Sequence, residues 1–237
     1  DGTCTISTFV NGQIVSTSER NLDEWDVFVR HNDTVELLRK ILSFPVESYY
    51  STQVLSRNPF GLATNFTKYV DENFPQALQL YRKGMQKMWV DRSYVTNNKH
   101  LIDKWKVIIP SAYGERTLPP WWITGAPHII PPNSVCTETY LVTGAYDTER
   151  EAENCLTYNK TLFFRFLLML RKNTQHLTKD TYSFIPLLDM KETYDDIKLA
   201  EIFGFTSDEE RLLGEYIKSF PTVKGEIYLN DVDTVAS

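Results

Sequence analysis

Two stretches of the sequence carry residue types at spacings that could do chemistry. The first is "RKNTQH", residues 171–176, where two cations, two amides, a hydroxyl and an imidazole follow the apolar run "TLFFRFLLML" and lead back into the apolar "TYSFIPLLD". Lys and Arg contact phosphates, and Asn, Gln and His are the types that address base edges or a nucleic-acid backbone. The same residues also suit a helix C-terminus, where cations offset the dipole and amides close the turn. The second is an acid-x-Lys triplet, found as "DMK" at residues 189–191 and as "DIK" at residues 196–198. Metal-dependent nucleases use this spacing, and it also arises by chance in charged chains.

Other chemistry is missing from the sequence. No two of the ten glycines stand in a G-x-G arrangement, so the glycine-rich turn that holds nucleotides or S-adenosylmethionine is absent. Amino-directed DNA methyltransferases grip the target amine with a polar residue, two prolines and an aromatic. The nearest match, Leu118-Pro119-Pro120-Trp121, begins with a side chain that accepts no hydrogen bond, and Asn58-Pro59-Phe60 lacks the second proline. His31, His100, His128 and His176 stand apart from the cysteines with no ligand spacing. Cys4, Cys136 and Cys155 are odd in number and far apart, which fits neither a disulfide framework nor a metal site and points to a reducing cytoplasm.

With 237 residues and 42% hydrophobic content the chain can build a real core, as one large domain or two small ones. Arg165 interrupts its longest apolar segment, so no membrane span is expected. The net charge of −6 is unevenly spread. Residues 56–110 hold nine Lys or Arg against four Asp or Glu, and residues 160–179 hold five cations and no acid, whereas residues 180–237 hold thirteen acids against five cations. Two basic blocks in an acidic frame are either solvated faces or a bipartite surface for a polyanion.

The elements that must position these residues can be read in outline. "TCTISTFVNGQIVSTS" alternates about Asn11-Gly12 and predicts a hairpin. Asp33 and Glu36 suggest a capping box ahead of a helix through Leu37, Leu38, Ile41 and Leu42 that stops before Pro45. Residues 73–95 fit either a helix, through Phe74, Leu78, Tyr81, Met85 and Met88, or two strands turning at Lys83-Gly84. "WKVIIP" and "SVCTETYLVTG" read as strands. Between them lies a Pro-, Gly- and Trp-rich segment with Trp121 and Trp122, too costly to leave disordered and so read as functional. Thr148 and Glu151 open a long central helix over residues 148–171, and Ser207 and Glu210 open a last one.

Taken together, "WKVIIPSAYGE", "SVCTETYLVTGAYDTEREAENCLTY" and "KTLFFRFLLMLRKNTQHLTKDTYSFIPLLDM" resemble the C-terminal target-recognition domain, of the TaqI-like specificity class, of bacterial restriction-modification methyltransferases that make N6-methyladenine. "SERNLDEWDVFVRHN", "SRNPFGLATNF" and "FGFTSDEERLLGEYIKSF" extend the resemblance over roughly residues 1–220. It implies a mixed α/β (α+β) domain, a curved and mostly antiparallel sheet packed on the long central helix with a C-terminal helix, spanning residues 1–237. It also favours the two strands turning at Lys83-Gly84. The implied function is sequence-specific recognition of double-stranded DNA, without catalysis by this segment. A catalytic methyltransferase domain would lie upstream in the same protein and hold S-adenosylmethionine, which agrees with a chain that opens on Asp1. In such a domain Arg171, Lys172 and Lys179 would contact phosphates, while Asn173, Gln175 and His176 would address base edges or the backbone. Arg57, Asn58, Lys68, Arg92, Lys99 and Lys104 would form a second contact region. The alternatives are a metal-dependent restriction endonuclease domain and a protein-interaction module of a larger complex.

Overall fold

The computed structural model describes residues 2–10, 12–115 and 117–220. Strands β1 (Thr3–Val10) and β2 (Gln13–Asn21) form an antiparallel ribbon in which Val10 faces Gln13, so a two-residue turn joins them. Gly12 adopts φ 80°, as such a turn requires, and Asn11 lies outside the described residues. Helix α1 (Val35–Ser43) buries Val35, Leu37, Leu38 and Ile41 and stops one residue ahead of Phe44-Pro45. Its start differs from expectation. Thr34 is the cap residue and makes no side-chain cap bond, its hydroxyl donating to the His31 carbonyl at 2.7 Å, while Asp33 accepts from the Tyr216 hydroxyl and Glu36 pairs with Arg39.

The ambiguous stretch is a hairpin. Strands β3 (Ala77–Arg82) and β4 (Gln86–Asp91) pair in register across a turn in which Gly84 has φ 69°. Strand β5 (Trp105–Pro110) pairs with β6 (His128–Ile130) on one side and β8 (Tyr140–Tyr146) on the other. The stretch expected as one strand, "SVCTETYLVTG", is two. Its first part, β7 (Ser134–Cys136), pairs parallel with β3, and the chain then turns through Thr137 and Thr139, whose hydroxyls bond each other at 2.6 Å, before β8 joins the other sheet. The result is α+β with mostly antiparallel pairing, divided among the described residues into one two-stranded and two three-stranded sheets rather than one curved sheet.

The long central helix is likewise two helices, α2 (Glu149–Lys160) and α3 (Leu162–Arg171). Thr161 between them is extended (ψ 154°), and its hydroxyl accepts the Phe164 N–H as an N-cap. The Asp196 carboxylate then takes the Leu162 and Phe163 N–H groups, each at 3.0 Å, so the break is capped from outside. Helix α4 (Asp196–Phe203) was not legible beforehand, and α5 (Ser207–Tyr216) is capped by Thr206 and Glu209, one residue earlier than expected.

The β6-β5-β8 sheet is the middle layer. Val107 and Ile109 of β5 join the helical core with Phe163, Phe166 and Leu167, while Ile108 between them joins Leu78, Leu80 and Val135 of the β3 layer. Alternation along one strand therefore feeds two cores, each buried side chain contributing roughly 1.5–3 kcal/mol. Lys106, fully buried on this strand, donates to the carbonyls of Leu101, Ile102, Lys104 and Pro131 and so ties the strand to the loops around its start.

Candidate functional site

Where β5 ends, the Pro- and Trp-rich segment runs beside the chain that leaves α3. Tyr113 N–H donates to the Gln175 carbonyl at 2.9 Å and Leu177 N–H to the Ser111 carbonyl at 2.8 Å, so the two segments lie antiparallel. Lys172 caps this join. Its ammonium donates to the carbonyls of Tyr113 and Ile123, both at 2.6 Å, and burial pulls its pKa down to about 8 against the opposing pull of Glu115. Glu115 spends one carboxylate oxygen on the N–H groups of Trp122 (2.6 Å) and Ile123 (3.2 Å). Held from both sides, Ile123 sits at φ 68°, a conformation a β-branched residue rarely adopts.

These segments and the corner at Arg30 and His31 enclose a cleft of about 350 Å³. Buried Ile123 and Leu170 with half-buried Met169 form its apolar floor, and the Trp121, His31 and Tyr113 rings line its sides. Trp121 is fixed. Its N–H donates to the Tyr216 carbonyl, its carbonyl accepts from Lys218, and its indole N–H is bonded to the Thr117 carbonyl at 2.7 Å. His31 lies 5.9 Å from the Trp121 ring, and burial lowers its pKa, which keeps the imidazole uncharged at neutral pH. Exposed Arg30, Asn173, Thr174 and Gln175 form the rim, with Arg30 donating to the Asn173 amide oxygen at 3.2 Å.

The residues of "RKNTQH" therefore divide into two groups. Arg171, whose side chain is only 10% exposed, grips both Asp26 oxygens at 2.5 and 2.8 Å, donates to the Asp180 carbonyl and lies over the Phe184 ring. Its guanidinium holds the Asp26 carboxyl below the usual range. Arg171 and Lys172, expected at phosphates, instead spend their donors inside the fold. Asn173, Gln175 and His176 point outward on a loop whose backbone is pinned by the Thr174 hydroxyl and by the pairing with residues 111–113. Lys179 is exposed on the short helical turn that follows.

The second basic block does not join this cleft. Arg92 bonds the Asn133 amide at 2.9 Å and faces Asp103, and Lys104 pairs with Asp147, both near the start of β5. Arg57 is 76% exposed and 3.5 Å from Glu138, Lys68 lies over the Tyr94 ring, and Lys99 opens a short turn. Asn58 has φ 60° and its carbonyl serves Gly61 and Asn97. Strand β5 separates the Arg92 and Lys104 end from the 173–176 loop by about 20 Å.

Comparison with family models, with curated proteins and with solved structures returned no match.

The acid-x-Lys triplets have structural duties. Both Asp196 oxygens cap α3, Lys198 pairs with Glu192 at 2.5 Å, and Asp189 accepts the Lys191 N–H in a local turn. Among the described residues no three His, Cys, Asp or Glu side chains are grouped to hold a metal ion, and no helix is long and apolar enough to cross a membrane. Sequence reasoning missed Arg30, His31 and Met169, which reach the cleft from separate parts of the chain. Tyr113 and Trp121 lay in the segment already marked as functional.

Proposed function

We propose that this chain reads sequence in duplex DNA, as the recognition domain of a restriction-modification enzyme that methylates adenine, and that residues 173–176 are its reading loop. One observation carries the reading. Four consecutive side chains with hydrogen-bonding groups stand exposed on a backbone fixed by the anchors on either side of it. Ordering before binding lowers the entropy cost of a specific contact. Arg171 and Lys172 serve the loop as anchors, and the exposed Arg30 and Lys179 are the cations beside it that meet phosphates. Arg57, Lys68 and Lys99 supply the more distant electrostatic contacts.

As such a domain the chain works with a catalytic domain upstream in the same protein, in the cytoplasm, where S-adenosylmethionine binds; no residue of this chain is assigned to that cofactor. Incubating the intact protein with a library of random duplexes and sequencing the bound fraction tests the reading. One enriched sequence, bound more weakly as salt rises, is the expected result. Recovery of unselected DNA at every salt concentration contradicts it.

A protein-interaction module is the second reading. It draws on the β1-β2 ribbon, where Phe9, Ile14 and Val15 are 62%, 59% and 58% exposed. A partner complex abolished by Phe9→Ser, in a protein with no selected DNA sequence, would favour it.

A further inference from the structure

The cleft beside the reading loop is concave, with an apolar floor and a polar rim, which is the wrong shape for the backbone of a paired duplex. We infer that it receives a single nucleotide, with the base inside against the Trp121 ring and the phosphate at the Arg30 rim. The inference rests on the DNA reading only for where the nucleotide comes from, an unstacked strand or free solution.

Four features point to this ligand class. The volume of about 350 Å³ falls within the range of small-molecule pockets, roughly 300–1,000 Å³. Ile123, Met169 and Leu170 give an apolar floor, and the Trp121 ring, with its N–H already bonded to Thr117, offers only a stacking surface. At the rim the Gln175 and Asn173 amides supply donors and acceptors suited to the edge of a base, and the Arg30 guanidinium spends one N–H on Asn173 and faces solvent with its charge. The one carboxylate in the lining, Glu115, is turned to the Trp122 and Ile123 N–H groups and lies 3.6 Å from Lys218, so its charge is answered within the fold.

The backbone supports the assignment independently. Ile123 holds its positive φ at the cleft floor, and residues kept in sparsely populated conformations cluster at sites that grip ligands. The Glu115 and Lys172 bonds on either side of Ile123 hold it in that conformation.

Three probes test the inference in the intact protein: a short duplex with one unpaired adenosine, the same duplex fully paired, and free adenosine monophosphate. The unpaired base needs no energy to leave its partner, so about tenfold tighter binding of the bulged duplex is expected. Trp121→Leu and Met169→Phe, the second filling the floor, should each return the bulged duplex to the affinity of the paired one, with thermal melts showing that the variants fold. Saturable quenching of tryptophan emission by the mononucleotide, absent in Trp121→Leu, with no preference for the bulge, supports the same pocket with free nucleotide as its source. Equal binding of both duplexes with no quenching overturns the pocket while leaving the DNA reading intact. A bulge preference that persists unchanged in both folded variants also overturns it. If neither duplex binds and the mononucleotide still quenches, the pocket stands and the DNA reading falls.

Discussion

The Lys172 ammonium lies 2.6 Å from the carbonyl oxygen of Ile123, a β-branched residue at φ 68°, and the same ammonium reaches Tyr113 ten residues earlier in the chain. One side chain at the end of α3 thus fastens both sides of the Trp-bearing segment. A positive φ at such a residue costs about 1–3 kcal/mol and persists only where neighbours impose it. Lys172→Met should lower stability by about 2 kcal/mol in urea denaturation, since two part-buried carbonyls lose a charged donor. It should weaken binding to all DNA sequences without changing the salt slope. The slope should respond to Arg30→Ala and Lys179→Ala, by about 0.9 for each phosphate no longer neutralised.

Buried Lys106 and half-buried Lys160 and Lys172 make stability depend on pH in a particular window. Burial pulls Lys106, Lys160 and Lys172 from 10.5 to about 8. Between those values the unfolded chain binds more protons than the folded one, so their contribution to stability rises with pH. From pH 9 upward the buried thiols oppose the rise, because burial lifts Cys136 to about 12 and Cys155 to about 11 and the folded state then holds the extra protons. Stability should climb from pH 8 to pH 9 by about 1 kcal/mol for each lysine and fall above about pH 10, where burial keeps protons on Tyr50, Tyr146, Tyr158 and Tyr182 after the unfolded chain has lost them. Urea titrations at closely spaced pH values check this, and Lys172→Met should remove one share of the climb.

Gly114 touches the reading loop through space alone. A Cβ placed there would come within 2.8–2.9 Å of the Gln175 amide group, the flexible end of a side chain, so Gly114→Ala should push that amide aside and leave the fold within about 0.5 kcal/mol of the wild type. The expected result is the same drop in discrimination that Gln175→Ala gives, on the order of 1–3 kcal/mol at one base pair, in competition binding with single-base variants of the selected site.

Asp196 distinguishes a structural carboxylate from a metal ligand. It caps two N–H groups at the start of α3, so Asp196→Ala should cost about 1–2 kcal/mol of stability, and Asp196→Asn, which keeps one acceptor, should cost less. Thermal melts of both variants with and without magnesium decide the matter. A magnesium-dependent stabilisation of the wild type that both variants lose would restore the nuclease reading.

Local signals made part of this fold legible. Gly12 and Gly84 mark their turns, and Thr148 with Glu151 caps α2 as expected. The break at Thr161 was hidden because half of its cap is Asp196, far along the sequence, and the apolar period runs through both helices. The split of β7 from β8 depends on β3, a partner that no window on residues 134–144 contains. At the site, the exposed amides of residues 173–176 were visible as a polar run between apolar ones. The inward turn of Arg171 and Lys172 was not, since it is set by Asp26, Tyr113 and Ile123, all distant in sequence.

The most direct measurement is the selection of duplexes by the intact protein repeated with Gln175→Ala. The wild type should enrich one sequence. The variant should enrich the same sequence with one base pair relaxed, at an unchanged salt slope, because an amide reads a base edge and releases no counterion. Identical selected sequences from the two proteins, or weakening spread evenly over every position, would contradict the assignment of residues 173–176 as the reading loop.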